Sequence, residues 1–370
     1  MAASAIGIIF SNNHEENVPE LVRKRTMASI PFGGRYRIVD FALSNMVNSG
    51  ITTIGLVTSN NYRSLIDHIG SGKDWDLARK DGGVILLPPF SEKNDKLYTT
   101  RLEALGTLRG FLSRRKEKYL VLTDCDGVAK FDIADIINYH ENKQADITLV
   151  THYGKVAKRT EYMLVDSNKD GRVTEIQLTP HVKEGTKANV YVNVMVINRQ
   201  FLLNLVEDSV THGYTSFSNI LVKQLNSLKI YQYDFKGYYG GIDSMAAYYK
   251  HNMDLLDKQV RDELFGARDI YTKVRDSAPS KYGENAVVRN SLISDGCEIE
   301  GVVENSILFR GVKVGKGTVV RNSIIMQDNI IGSNTSLDCV ITDKNVVISD
   351  RKTLSGCSEL PYFIQKGTML

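Results

Sequence analysis

No run of apolar residues in this 370-residue sequence approaches the roughly 18 continuous positions that a membrane span needs. The first residues, MAASAIGIIFSNNHEEN, carry a short apolar run with no basic segment before it, and carboxylates follow at once. Ala5–Phe10 therefore reads as a buried strand and not as a secretory leader. Cysteine is scarce: Cys125, Cys297, Cys339 and Cys357 lie far apart with no CxxC pair, so buried free thiols are expected and neither a disulfide framework nor a zinc motif is present. An excess of one charge is also missing. The net charge is +3, spread along the chain, which gives no reason to expect nucleic acid or an anionic membrane as partner. These absences lead to the expectation of a cytoplasmic protein.

What is present is ordinary for a globular chain: 42% apolar and 24% charged residues. The length exceeds what one core organises, so two domains are expected. Up to about residue 260, apolar strand-like runs alternate with helix-length segments. The runs are Ala5–Phe10, Thr53–Val57, Val84–Leu87, Tyr119–Leu122, Ile147–Thr151, Val190–Ile197 and Ile230–Tyr233; the helices include Thr100–Arg115 and Ile133–Asn142. This alternation predicts an α/β domain over 1–260, Rossmann-like, with a mostly parallel sheet covered on both faces and ligands beyond the strands' carboxyl ends.

After residue 285 the pattern changes. Asn290-Ser-Leu-Ile, Asn305-Ser-Ile-Leu, Asn322-Ser-Ile-Ile and Asp338-Cys-Val-Ile line up at spacings of 15, 17 and 16 residues. Within the units apolar residues recur every six, as in Leu308, Val314 and Val320, then Ile325, Ile331 and Leu337. This is the hexapeptide signature of a parallel β-helix, predicted over 286–370, with one aliphatic side chain per face pointing inward. A β-sandwich would show alternation of period two instead. The charged, weakly periodic segment 261–285 reads as a connector. Solenoid faces of this kind often serve assembly.

Three stretches are more specific: Pro31-Phe-Gly-Gly-Arg-Tyr-Arg-Ile-Val-Asp-Phe-Ala-Leu-Ser-Asn-Met-Val-Asn-Ser-Gly50; Trp75-Asp-Leu-Ala-Arg followed by Gly82-Gly-Val-Ile-Leu-Leu-Pro-Pro-Phe90; and Tyr248-Tyr-Lys-His-Asn-Met-Asp-Leu-Leu256. Together they resemble the bacterial ADP-glucose pyrophosphorylases (glucose-1-phosphate adenylyltransferases), which make the glycogen precursor from ATP and glucose 1-phosphate. The resemblance covers nearly the whole chain. It implies a nucleotidyltransferase domain, a left-handed β-helix and a tetrameric assembly.

The reacting positions of that family depart from its pattern here. Active members carry a loop G-G-x-G-x-R-L whose glycines admit the triphosphate to backbone N–H groups and whose Arg neutralises charge. This chain has Asn12-Asn13-His14-Glu15-Glu16-Asn17-Val18, with Asn17 at the Arg position and two carboxylates that would repel a triphosphate by several kcal/mol. Met27 stands where K-P-x-x-P-F-G-G places a phosphate-contacting Lys; Lys24, three residues upstream, is a possible substitute. Mg²⁺ requires carboxylate oxygen. Asp126 survives in Asp124-Cys125-Asp126-Gly127, whereas Gly241 replaces the second metal Asp and Asp243 lies two positions on. The base and sugar motifs G-T-A, E-K-P and S-M-G become Thr100-Arg101-Leu102, Leu178-Thr179-Pro180 and Tyr191-Val192-Asn193.

Each lost contact removes on the order of 2–4 kcal/mol of transition-state stabilisation, and losses at all four subsites would suppress turnover by many orders of magnitude. The pattern resembles the non-catalytic companion chains of that family. It implies no catalytic residues (Asn17, Met27 and Gly241 degenerate, Asp126 a remnant) and no substrate contacts at Arg101, Leu178 and Thr179. No cofactor or metal is expected in this chain, the Mg²⁺ belonging to a catalytic partner subunit. Two other readings stay open: an active sugar-phosphate nucleotidyltransferase with relocated ligands (Lys24, Asp124, Asp243), and a stand-alone metabolite-binding protein. The resemblance also places an effector-anion site between the domains, with Arg35, Arg63 and Ser64 as candidates for a phosphorylated metabolite.

Overall fold

A computed structural model describes residues 4–88, 100–156, 162–179, 182–183, 185–212 and 216–370, the side chains of 209–212 excepted. Nine strands form the first sheet: β1 (Ala5–Phe10), β2 (Thr53–Val57), β3 (Gly83–Leu87), β4 (Tyr119–Asp124), β5 (Ile147–Lys155), β6 (Met163–Ser167), β7 (Val173–Leu178), β8 (Lys187–Asn198) and β9 (Ile230–Asp234). One edge runs β3-β2-β1-β4 in parallel; β8 then runs antiparallel to β4, β5 and β6, with β7 antiparallel to β6 and β9 parallel to β5. All strands but β7 and β8 thus point one way. The sheet is mixed but mostly parallel.

The continuous apolar runs are explained by burial on both faces. Along β1, Ala5 and Ile9 enter one core while Ile6, Ile8 and Phe10 enter the other. Gly7 is needed where helix α1 (Ile38–Asn48) crosses, because a Cβ there would lie 2.2 Å from the Met46 sulfur. The helix expected over Thr100–Arg115 is two short ones, α2 (Arg101–Thr107) and α3 (Arg109–Ser113), the first opened by a reciprocal cap between Thr100 and Glu103.

The C-terminal part is the hexapeptide β-helix, of the left-handed type: three five-stranded parallel sheets wound around Ile299, Val303, Leu308, Val314, Val320, Ile325, Ile331 and Leu337. The first rung, Lys281–Tyr282, already pairs with Glu298–Ile299, and a helix covers Lys258–Phe265. Regular structure therefore reaches into both ends of the segment 261–285.

One repeat is offset. Asn290, Asn305 and Asn322 occupy left-handed corners (φ 42, 46 and 45°), but the fourth corner is Cys339 (φ 51°), not Asp338, which pairs with Arg321. Thr342 consequently takes the place opposite Ile325, where Asn329 Nδ2 and the Met326 N–H donate to its hydroxyl. The thiols also differ from expectation: Cys125 and Cys297 are buried, Cys339 is half-buried and Cys357 exposed.

The two parts share one core. Ile307, Phe309, Ile324, Met326 and Ile341 of the β-helix pack with Tyr248, Tyr249 and Leu255. Two of the three distinctive stretches meet here: Tyr248 Oη donates to the Pro31 carbonyl (2.7 Å) and the Gly33 N–H to Asn252 Oδ1 (2.9 Å). Across the junction, Tyr249 Oη donates to the Asn322 carbonyl (2.6 Å), Ser294 Oγ to the Gly34 carbonyl (3.0 Å), and Arg25 grips both oxygens of Asp343 (2.6 and 2.9 Å).

Candidate functional site

The carboxyl ends of β1 and β4 open onto a cleft, as a mostly parallel sheet requires. The loop after β1 is not an open cradle. His14 is left-handed (φ 65°), Glu15–Asn17 form a 3₁₀ turn, and Asn12 holds the loop by donating to Glu15 Oε1 (2.7 Å) and Asn60 Oδ1 (2.8 Å). The fold turns two loop side chains onto the end of β4: Asn13 Nδ2 donates to Asp124 Oδ1 (3.0 Å), and His14 Nε2 lies 3.0 Å from Asp124 Oδ2. From the start of α2, Arg101 forms an ion pair with the same Oδ2. Burial opposes the charge of Asp124, yet Arg101, His14 and Asn13 hold its carboxyl below the ordinary range. Burial likewise opposes protonation of His14, but the hydrogen bond to Asp124 and the charges of Asp126 and Asp124 raise it overall.

Asp126 is buried and accepts from Asn193 Nδ2 (2.7 Å). Asn193 sits in the left-handed region (φ 58°) where the pairing of β8 with β5 shifts register, which aims its amide into the cleft. Gly241 lies opposite Gly127 in a short antiparallel ladder, and the next N–H, of Ile242, donates to the Asp126 carbonyl (2.7 Å). The position that the family resemblance assigns to a second carboxylate is thus beside Asp126 but has no side chain.

Three neighbouring cavities follow. One of about 440 Å³ is lined by Asn12, Asn13, His14, Arg101 and Asp124; another of about 410 Å³ adds Tyr191, Leu178 and Thr179. A third, of about 360 Å³, lies on the other side of β8 and includes His152, Tyr239, Gly241, Asp243 and Lys250. Arg101, Leu178 and Thr179 are therefore brought together around one cleft, with Asp126 joined to it through Asn193, while Pro180 lies outside the described residues, as do Pro89 and Phe90. Asn17 is tied by its N–H to the His14 carbonyl and lines none of these cavities. Met27 is fully buried in the core, and Lys24 is exposed and away from the cavities. In the sequence, Asn13, His14 and Asn193 carry no role beyond the loss of the glycine loop and of the S-M-G motif. Their roles arise from the left-handed turns at 14 and 193, which no local pattern announces.

The effector candidates divide. Arg35 is exposed with its guanidinium over the Tyr36 ring, and Arg63 is exposed at the start of the helix Arg63–Ile69. Ser64 instead accepts from buried Arg37 through its carbonyl (2.5 Å) and Oγ (2.9 Å). Arg37 belongs to a cationic group at the domain junction with Arg25, Arg275 and Lys344. Burial, then Arg37 and Arg25, push Lys344 down to about 6 despite Asp343. Arg25 Nη1 is buried with no hydrogen-bond partner among the described residues.

Among the described residues no helix is long and apolar enough to cross a membrane. Residues 18–258 match the nucleotidyl transferase family model, and residues 277–357 match the GlmU-like C-terminal hexapeptide. The glycogen biosynthesis protein GlgD of Geobacillus stearothermophilus is 36% identical over 370 residues, and GlgD of Bacillus subtilis 32% over 363, each covering 98% of this chain and 96% of that protein. A glucose-1-phosphate adenylyltransferase of Desulforamulus reducens is 31% identical over 360 residues, 96% of this chain and 90% of its own. With both parts matched, and relatives aligned over at least 90% of either chain, the chain belongs to the nucleotidyl transferase family, within the group formed by GlgD and the glucose-1-phosphate adenylyltransferases.

Proposed function

We propose that this chain is a non-catalytic subunit of a glucose-1-phosphate adenylyltransferase in glycogen biosynthesis, acting in the cytoplasm by assembly with a catalytic homologue. The observation that carries the reading is the loop after β1: it has no glycine, and Asn13 and His14 are bonded to Asp124, so side chains tied to a carboxylate stand where a phosphate cradle would lie. Met27 in the core and Gly241 beside Asp126 support it. The relocated-ligand alternative is disfavoured because Lys24 lines none of the cavities and Asp124 is already paired with Arg101. The names of the relatives supply the pathway. The β-helix also exposes Ile330, Leu360 and Met369, apolar area that a partner subunit would cover. A dimer of dimers, and so a heterotetramer, is the expected product.

The test is ADP-glucose synthesis by this chain alone, by an intact homologue alone, and by the co-expressed pair. The isolated chain should show no turnover, and Asp126→Ala should leave the pair's activity unchanged. Robust turnover abolished by Asp126→Ala would refute the reading. Co-purification at micromolar concentration distinguishes a subunit from a stand-alone metabolite-binding protein. An effector role belongs to the same proposal, with the junction bases Arg25, Arg37 and Lys344, beside Ser64, as the group suited to a phosphorylated metabolite; exposed Arg35 and Arg63 would be peripheral to it.

A further inference from the structure

Nucleotidyl transfer in this family implies a divalent cation, and the residues here do not fit one. Mg²⁺ needs at least one or two free carboxylates converging on an octahedral centre. Among the described residues no group of three or more His, Cys, Asp and Glu could hold a metal. The nearest pair, Asp124 and Asp126, flanks Cys125 in a single turn, but Asp124 Oδ2 already faces Arg101 and lies 3.0 Å from His14 Nε2. Its Oδ1 accepts from Asn13 at 3.0 Å. Asp126 Oδ2 accepts from Asn193 at 2.7 Å, and the same amide nitrogen is 3.3 Å from His14 Nε2.

The cation in this network is built to stay. Only 15% of the Arg101 side chain is accessible, its guanidinium stacks 5.1 Å from the centre of the Phe10 ring, and the Asp124 side chain it pairs with is fully buried. Without Arg101, buried Asp124 would keep only His14 and Asn13 as partners, and removing one member of a buried pair costs more than the pair contributes. Arg101 enters from the first turn of α2, held by the cap between Thr100 and Glu103, so its placement is set by the backbone as well as by charge.

We infer that Arg101 is the resident cation of Asp124, as Asn193 is the resident donor to Asp126, so that the two carboxylates are satisfied within the chain and take up no metal. This rests on the non-catalytic reading above and adds to it a specific role: Asp124 and Arg101, with Asn13 and His14, form a structural staple between β4, the loop after β1 and α2.

The experiment uses the full chain and Mn²⁺ as probe, with free Mn²⁺ followed by electron paramagnetic resonance and unfolding followed by calorimetry. Wild type is expected to bind no Mn²⁺ at millimolar concentration and to melt at the same temperature with and without it. Arg101→Gln should lower the melting temperature. The double variant Arg101→Gln/Asp124→Asn, which removes both charges of the pair, should recover much of the loss. Folded Arg101→Gln should acquire a Mn²⁺-dependent rise in melting temperature that the double variant lacks. Wild-type Mn²⁺ binding that disappears in Asp126→Asn would overturn the inference. So would a double variant no more stable than Arg101→Gln, a comparison that stands even if the single variant is largely unfolded. Folded Arg101→Gln with unchanged stability and no Mn²⁺ response would overturn it too. Failure of the function reading is separate: Mn²⁺ binding without turnover refutes only the role given to Arg101, whereas turnover by the isolated chain refutes the non-catalytic assignment.

Discussion

Single residues decide what the cleft can hold, and Glu15 is the most exposed to a simple test. It sits in the 3₁₀ turn after β1, where burial pushes its carboxyl up to about 7 from an ordinary 4.5, against the stabilising hydrogen bond from Asn12. A raised carboxyl is neutral in both folded and unfolded chains below pH 4.5. Between 4.5 and 7 the unfolded chain ionises first, so stability falls as pH rises through that window and stays low above it. Glu15→Gln keeps the acceptor for Asn12 and removes the titration. It should match wild type near pH 4.5 and exceed it above pH 7 by about 1–2 kcal/mol, the half-exposed position being discounted for solvent screening. Denaturant titrations at pH 5 and pH 8 measure this; a variant less stable at pH 8 would show that the charged form is favoured in the fold. At this scale the sequence was partly legible. The absence of glycine in the loop and the loss of side chain at 241 could be counted along the chain, whereas the contacts of His14 and Asn193 depend on left-handed turns visible only in three dimensions.

At the scale of elements, apolar runs buried on both faces made the strands of the sheet readable, and the six-residue period made the coils readable. The misplaced fourth corner had a physical cause: a corner is a backbone conformation, and Asn marks it at three coils but Cys339 adopts it at the fourth without the residue type that signals it. The break between α2 and α3 was equally silent, since Leu108 continues the apolar pattern through it. The turn Phe32–Tyr36 illustrates the opposite case, a stretch whose glycines are dictated by contact. Gly34 has φ 84°, and a Cβ there would sit 2.7 Å from Ser294 Oγ of the β-helix. Gly34→Ala should cost about 1–2 kcal/mol from backbone strain and crowding together. Adding Ser294→Ala should recover the crowding part and leave the strain, a coupling that a double-mutant cycle by chemical denaturation resolves. Additive losses would mean that the two parts separate at this point without cost to each other.

Across the whole molecule, the junction gathers basic side chains from both parts and buries them. Arg37 is pushed down to about 10 chiefly by burial, with Arg25 and Arg275 adding to the effect, and Lys344 reaches about 6 for the same reasons. None of this was legible beforehand, because Lys344 lies more than 300 residues from Arg25 and Arg37 and an isolated lysine in a repeat reads as a solvated side chain. For a base held below its unfolded value, the unfolded chain binds more protons between pH 6 and 10.5. Stability therefore rises with pH across that window, and Lys344→Met should raise the melting temperature more at pH 7 than at pH 10. An anion bound among these cations would reverse the balance: it supplies the missing countercharge, lifts Lys344 towards its ordinary value and draws in a proton. Affinity for fructose 1,6-bisphosphate should then strengthen as pH falls from 8.5 towards 6.5, by at most about tenfold per pH unit for one proton taken up. Activation curves of the assembled pair at those two pH values, with calorimetry in buffers of different ionisation heat, measure both the slope and the proton. Lys344→Met should flatten the slope, and Arg37→Gln should weaken the response more than Arg35→Ala, since Arg35 stands at the exposed rim. A pH-independent response in wild type, or one untouched by Lys344→Met and Arg37→Gln, would leave these cations as a structural seam between the two parts, with regulation residing in the catalytic partner alone.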